Sequence, residues 1–487
     1  MAGLTLPVNA RSLPSRAVRD SLIVTIGGQV ERFLGIAAAL AIRWGLDPSQ
    51  LGVYTGLRLY LDNTNRSSLG ISLGAVQEIP ILRSAGRFDD ANRVTNVAHT
   101  TNTITCVCFA LGLLVWAGIR SSRLTDSALS SQWTWGLVMI AGLAILKRYQ
   151  DFQIAVLRSH QEFSLTTRLA VLDGLLAGLL MPAGVWFAGL WGLLGSVGIL
   201  LAFNIAYLQR VHPLRLQYDW DRTIAWRLMR VGLPILANTT SFGLLQTVDR
   251  WIILGRLNEG EHAAGLYSLA ILGTSWSLDL AGRIVTVMYT YFQATLGRTG
   301  DPAQVANQAM RVTEAQAPWL GLAGAWAYLI GPESLARLIP RYAEGVTALR
   351  PLLPGMILLG LAWPARQMLI TVGRPFRLCA VTCLGLVATT IAATIGADHA
   401  GIVGVAWGMT FGYALVYGLT AYVAFGRGWP GHFRTVLMGL AVILAGPLAA
   451  HGPWGHPAAR VLILVIATIP WMISLKNSTL LASQHEE

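Results

Sequence analysis

Apolar stretches of about 20 residues recur from one end of the chain to the other, divided by short polar segments. Each stretch is long enough to cross a bilayer as a helix. The pattern predicts fourteen such helices, at 20–42, 50–80, 94–118, 132–156, 165–187, 190–209, 229–255, 263–294, 307–330, 348–370, 377–396, 401–425, 436–451 and 458–475. The second is the least apolar and the thirteenth is short. The expected class is an all-α integral membrane protein, and no secretory signal peptide stands apart from the first apolar run.

Composition sharpens this picture. Only 12% of the 487 residues are charged, 54% are hydrophobic, and the mean hydropathy is +0.54. A soluble protein carries roughly 25% charged residues. Lysine occurs only at Lys147 and Lys476, and neither follows a glycine-rich phosphate loop, which excludes a P-loop ATPase. Cys106, Cys108, Cys379 and Cys383 all fall in apolar segments and suit neither a disulfide framework nor a zinc site. No cofactor or metal is expected.

The basic residues orient the spans. With the N-terminus inside, the cytoplasmic segments hold 23 Lys and Arg, including Arg210, Arg215, Arg222, Arg227 and Arg230. The outer segments hold eight. That asymmetry places both termini in the cytoplasm. Much of the +12 net charge is then topological and does not mark a nucleic-acid partner. Trp44, Trp116, Trp133, Trp135, Trp186 and Trp191 fall at predicted outer helix ends, as an aromatic belt would.

The chain also repeats itself. Leu51-Gly-Val-Tyr-Thr returns as Ala264-Gly-Leu-Tyr-Ser, 213 residues on, and Phe163 finds Phe376 at the same spacing. Asp89-Asp-Ala-Asn resembles Asp301-Pro-Ala-Gln, and Gly192-Leu-Leu-Gly resembles Gly401-Ile-Val-Gly. Four matches in order imply a duplicated six-helix unit. The expected domains are residues 1–215, 216–430 and a pair of added helices in 431–487. An even helix number gives both copies one orientation, with the site between them.

Charges inside the spans supply the candidate chemistry. All but five basic residues are assigned to loops or helix ends; the exceptions are Arg32, Arg58, Arg66, Arg250 and Arg283. An arginine at the bilayer centre costs roughly 2.5–3.5 kcal/mol, so it faces a wet cavity or a partner. Arg58, Asp62 and Arg66 are spaced to share one helix face, as are Asp279 and Arg283. Snorkelling suits Arg250, and structural ion pairing is the plain alternative for the others. A surplus of arginine favours a phosphate or pyrophosphate, whose oxygens the guanidinium binds as a fork. Arg32, Arg58, Arg66 and Arg283 are therefore the expected substrate-binding residues. Asp249 and Glu31, with no basic residue one helical turn away, are the expected coupling carboxylates. Pro234, Pro318, Pro354 and Pro364 are candidate kinks. Asp219-Trp-Asp221 has the form of a metal-binding motif but sits in a short loop, where it reads as solvated surface.

Val248-Asp-Arg-Trp-Ile-Ile-Leu-Gly and the following Ala264-Gly-Leu-Tyr-Ser, with the layout from about residue 20 to 430, resemble the polysaccharide (O-antigen) flippases. These belong to the multidrug/oligosaccharidyl-lipid/polysaccharide exporter superfamily. The resemblance implies two six-helix bundles, alternating access, and a cationic cavity for an undecaprenyl-pyrophosphate-linked glycan in the bacterial cytoplasmic membrane. Membrane lipids and the glycosyltransferases or polymerase of the same glycan are the implied partners. The family's basic residues in the first, second and eighth helices match Arg32, Arg58 and Arg283 by helix. The two added helices resemble the lipid II flippase branch. A multidrug antiporter of the superfamily and a membrane glycan polymerase or ligase are the competing functions.

Overall fold

A computed structural model describes residues 35–123, 128–159, 162–214 and 216–426. Glu31, Arg32 and the predicted helices beyond residue 430 lie outside these residues. The order is α1 (Gly35–Gly45), α2 (Pro48–Asp62), a 3-10 turn (Thr64–Ser68), α3 (Ile71–Ser84), α4 (Phe88–Arg123), α5 (Ala128–Ser159) and α6 (Phe163–Val211). There follow α7 (Arg222–Leu245), α8 (Val248–Arg256), α9 (Gly260–Thr299), α10 (Pro302–Leu338), a second 3-10 turn (Pro340–Ala348), α11 (Leu349–Leu361), α12 (Trp363–Thr371) and α13 (Pro375–Phe425). Among the described residues there is no strand. Six described segments are long and apolar enough to cross a membrane: Phe88–Ser121, Leu129–Ser159, Leu165–Val211, Arg222–Leu245, Pro340–Thr371 and Pro375–Phe425.

The longest two of these fold back on themselves. In α6 the backbone leaves the helix at Ala188 (φ −144°, ψ 20°) and Gly189 (φ 56°, ψ −131°). In α13 it leaves at Ala400 (φ −142°, ψ 22°) and Gly401 (φ 55°, ψ −134°). The positive φ requires glycine. Small residues then let the two arms touch: a Cβ on Gly192 would overlap the Gly184 carbonyl, and one on Gly404 would overlap that of Gly396. Both hairpins therefore share one pattern, Gly184…Ala188-Gly189…Gly192 and Gly396…Ala400-Gly401…Gly404. This corrects the register of the fourth sequence match: Gly192 is the counterpart of Gly404 and not of Gly401. The same shift carries α4 onto α10 and α5 onto the segment Pro340–Thr371.

Three predicted spans prove discontinuous. The second is divided into α2, the 3-10 turn and α3; the seventh is divided at Gln246–Thr247; and the tenth is divided at Ala362. Pro364 opens α12 within its first turn instead of kinking it. Trp44, Trp116, Trp135 and Trp186 are exposed as a belt requires, whereas Trp133 is buried beneath the Arg120 guanidinium, 4.8 Å from the ring centre.

Two compact units result. The first comprises Tyr60–Leu233 with the described residues up to Leu46; the second comprises Asp47–Leu59 with the described residues from Pro234. In the first, Ile79, Val94, Ala98, Phe152 and Leu228 join α3, α4, α5 and α7 in one apolar core. In the second, Tyr267, Leu352, Met409 and Tyr413 join α9, α11 and α13.

Candidate functional site

α2 is buried on most of its circumference. Pro48 starts it, where the missing N–H is not needed, and Leu51, Gly52, Val53, Gly56, Leu57, Leu59 and Leu61 are all buried. Arg58 and Asp62 share the remaining face, one helical turn apart, and both are exposed. A charged exposed face on an otherwise buried membrane helix is what lining a wet cavity demands. Asp279 of α9 is likewise exposed. Arg283 lies one turn further along α9, and its side chain is not among those described.

The expected continuous stripe Arg58, Asp62, Arg66 does not form, because α2 stops at Asp62. The run Asn63-Thr64-Asn65-Arg66-Ser67-Ser68 is full of side chains that compete for the backbone. The Thr64 hydroxyl donates to the Leu61 carbonyl at 2.6 Å, that of Ser67 to Thr64 at 2.8 Å and that of Ser68 to Asn65 at 2.8 Å. Leu69 (φ 51°) and Gly70 (φ 80°) then both turn left-handed before α3 begins. A left-handed leucine is unusual and marks local strain. On one side Gly70 touches the backbone of Gly232 in α7, where neither position has room for a Cβ.

On the other side the break is held by Arg148 of α5, which is 2% exposed. Its Nε donates to Asn102 Oδ1 at 2.7 Å, and Nη2 donates to Thr105 Oγ1 at 3.2 Å. Nη1 donates to Ser67 Oγ at 2.9 Å and to the Thr64 carbonyl. Nearby, Asn65 donates to Asp151 at 2.8 Å, and Lys147 pairs with the same carboxylate at 3.3 Å. Arg66 is held differently from Arg148. It is half-buried in the 3-10 turn and makes no side-chain hydrogen bond or ion pair among the described residues.

Asp249 occupies the other discontinuity. It sits in the first turn of α8, just after the α7–α8 break, where the helix dipole favours a carboxylate. It is fully buried. Oδ1 accepts the Arg250 backbone N–H at 2.8 Å and lies 3.9 Å from Arg250 Nε; Oδ2 has no hydrogen-bond partner. Tyr267 of α9 and Tyr413 of α13 are its buried aromatic neighbours. The Tyr413 hydroxyl donates to the Leu245 carbonyl at 3.4 Å, while that of Tyr267 has no partner. Arg250 does not reach out to solvent as expected; it lies half-buried, its Nε in an ion pair with Asp249 and without a hydrogen bond.

Three buried arginines among the described residues escaped the sequence reading, which assigned them to loops or helix ends: Arg43, 7% exposed, which donates to the Ala39 carbonyl at 2.8 Å, and two others. One is Arg148. The other is Arg366 of α12, 5% exposed, stacked 3.9 Å from the centre of the Phe242 ring and donating to Thr382 Oγ1 at 3.1 Å. Asp219 and Asp221, read as loop surface, both pair with Arg93, at 3.6 and 3.0 Å. No three His, Cys, Asp or Glu residues converge on a metal-sized site among the described residues.

Comparison with known proteins gives these features a setting. A family model described as "Polysaccharide biosynthesis protein" matches residues 86–315. No curated protein matches the chain. Among solved structures, "Lipid II flippase MurJ, inward closed conformation" superposes with a TM-score of 0.73 at 8% identity, covering 94% of this chain and 100% of that one. An inward-facing multidrug resistance MATE family transporter of the MOP superfamily gives 0.61 at 15%, covering 88% and 99%. A MOP superfamily transporter from Pyrococcus furiosus, described as having a binding pocket of reverse polarity, gives 0.57 at 16%, covering 88% and 96%.

Proposed function

Starting from a multi-pass membrane protein with the MOP-superfamily transporter fold and a polysaccharide-biosynthesis family match, we propose a flippase for an undecaprenyl-pyrophosphate-linked oligosaccharide. It would work by alternating access in the bacterial cytoplasmic membrane, with both termini inside, for surface polysaccharide synthesis. Residues 1–215 and 216–430 would be its two six-helix halves.

Arg66 carries the reading. A half-buried guanidinium at a helix break, with no partner among the described residues, supports an anion-binding role for this residue. Discontinuous helices are where transporters hold substrates and ions. Arg58 extends the positive charge along α2, and Arg32 and Arg283 complete the site in this proposal. The fork geometry suits a pyrophosphate, while the lipid tail stays in the bilayer. Asp249, buried at the second break with one oxygen unpaired, is the coupling carboxylate of the reading, with Glu31.

The experiment is complementation of a flippase-deficient strain, with chemical analysis of the lipid-linked sugar that accumulates. Restored polysaccharide and loss of the accumulated intermediate support the flippase. A second reading, antiport of a cationic drug, draws on the same buried Asp249. It predicts drug resistance without complementation.

A further inference from the structure

The two repeats treat one helix contact in opposite ways. In the second, Gly360 at the end of α11 lies against Ser277 and Ala281 of α9, and α9 runs unbroken from Gly260 to Thr299. A shift of about 213 residues brings Ser277 onto Thr64 and places Arg148 at Gly360–Leu361. In the first repeat, therefore, a full-length arginine occupies the place where the second has a glycine or leucine. There the facing helix is broken, and Arg148 bonds to the carbonyl of Thr64, which also accepts from the Ser67 hydroxyl.

We propose that Arg148 is a positioning residue, a wedge that holds the α2–α3 break open in the first repeat alone and so fixes Arg66 as an anion-binding group. Four acceptors on two elements grip its guanidinium: Thr64 and Ser67 in the 3-10 turn, with Asn102 and Thr105 on α4. Asn102 also accepts from Ser72 of α3 at 3.0 Å, so the wedge ties the 3-10 turn and α3 to α4. Arg148 has spent its donors on protein groups and does not compete for substrate. Arg66, one residue from Ser67, has spent none. Backbone carbonyls exposed by a broken membrane helix need such a partner, since lipid offers none. The role assigned to Arg66 rests on the flippase reading; the wedge itself does not.

The test uses the full-length protein in lipid nanodiscs, with two readouts. Hydrogen exchange of residues 62–71 reports the break, and titration with inorganic pyrophosphate reports the anion site. Arg148→Leu, which installs the side chain of position 361 in the second repeat, should change exchange across 62–71 at least tenfold while α9 stays unchanged. It should also weaken pyrophosphate binding at least tenfold at equal folded protein. Arg148→Lys, which keeps the charge but loses the fork, should restore only part of each. Should Arg148→Leu fail to accumulate, Asn102→Leu with Thr105→Val leaves the arginine in place and removes two of its acceptors. The same two shifts, smaller, are then expected. Unchanged exchange in a folded variant overturns the wedge. Changed exchange with unchanged pyrophosphate binding overturns the link to Arg66. A wild type that binds no pyrophosphate overturns the anion-site reading and that link with it, and leaves the exchange result to decide the wedge.

Discussion

Ser49 Oγ and His262 Nδ1 lie 3.3 Å apart, and the two residues are 213 positions apart in the chain. That is the repeat spacing, so each residue faces its own counterpart, which happens only beside a local two-fold axis. The glycines one turn on obey the same symmetry. A Cβ on Gly52 would overlap the Glu261 carbonyl, and a Cβ on Gly265, its counterpart, would overlap that of Pro48. α2 and α9 thus cross in backbone contact at their first turns. The proposed alternating-access cycle would part this crossing. Ser49→Cys with His262→Cys, in a chain lacking the four native cysteines, is expected to cross-link on oxidation and stop transport, with recovery on reduction. An oxidised, fully active protein would show that the crossing does not move.

Arg66 and Arg148 should separate function from stability. Arg66→Ala removes a charge that leaves no partner unpaired, so the thermal unfolding midpoint should hold or rise while transport is lost. Arg148→Ala removes four bonds from a charged donor, each worth about 1.5–3 kcal/mol. Ser72 and Ser67 continue to serve Asn102 and Thr64, so the net loss should be nearer about 3 kcal/mol than the full sum. Denaturation of both variants alongside the transport assay checks the contrast.

Asp249→Asn should blunt the transport response to one of three imposed gradients (protons, sodium or potential) and leave substrate binding intact. Vesicles with each gradient applied separately make the measurement. Full gradient dependence in the variant would remove Asp249 from the coupling role.

The segment between α6 and α7 carries a pH signature of its own. Asp221 Oδ1 accepts the backbone N–H groups of Ile224 at 3.2 Å and Thr223 at 2.8 Å, and Oδ2 pairs with Arg93 at 3.0 Å. The Ile224 bond first, then that of Thr223 and the Arg93 charge, hold its carboxyl below the usual carboxylate range. Its contribution is therefore complete above the ordinary Asp value, about 3.9, and is lost only as pH falls through the lower folded value. Proteolysis of residues 212–221 should be constant from pH 8 to pH 5 and rise only in stronger acid. Asp221→Ala should show the raised rate at neutral pH.

Much of this architecture was legible in the chain. The hairpin turn at Ala188-Gly189 falls in the gap between two predicted spans, and the repeat was visible in Gly52-Val-Tyr and Gly265-Leu-Tyr. The helix breaks were not, although Asn63 to Ser68 is a polar run that hydropathy merely averages into a weak span. The buried arginines were missed for a different reason. Near a helix end an arginine reads as snorkelling, and only the side chains of α4 and the 3-10 turn show Arg148 to be enclosed. Their positions depend on contacts between residues more than 40 apart, which no local pattern encodes.

The most direct test of the account is translocation of a fluorescent undecaprenyl-pyrophosphate-linked oligosaccharide in vesicles containing the purified protein. The expected result is protein-dependent movement of the labelled head group between leaflets, lost in Arg66→Ala and unaffected by cationic drugs. No protein-dependent movement of that lipid, with uptake of a cationic drug by the same vesicles, would contradict it.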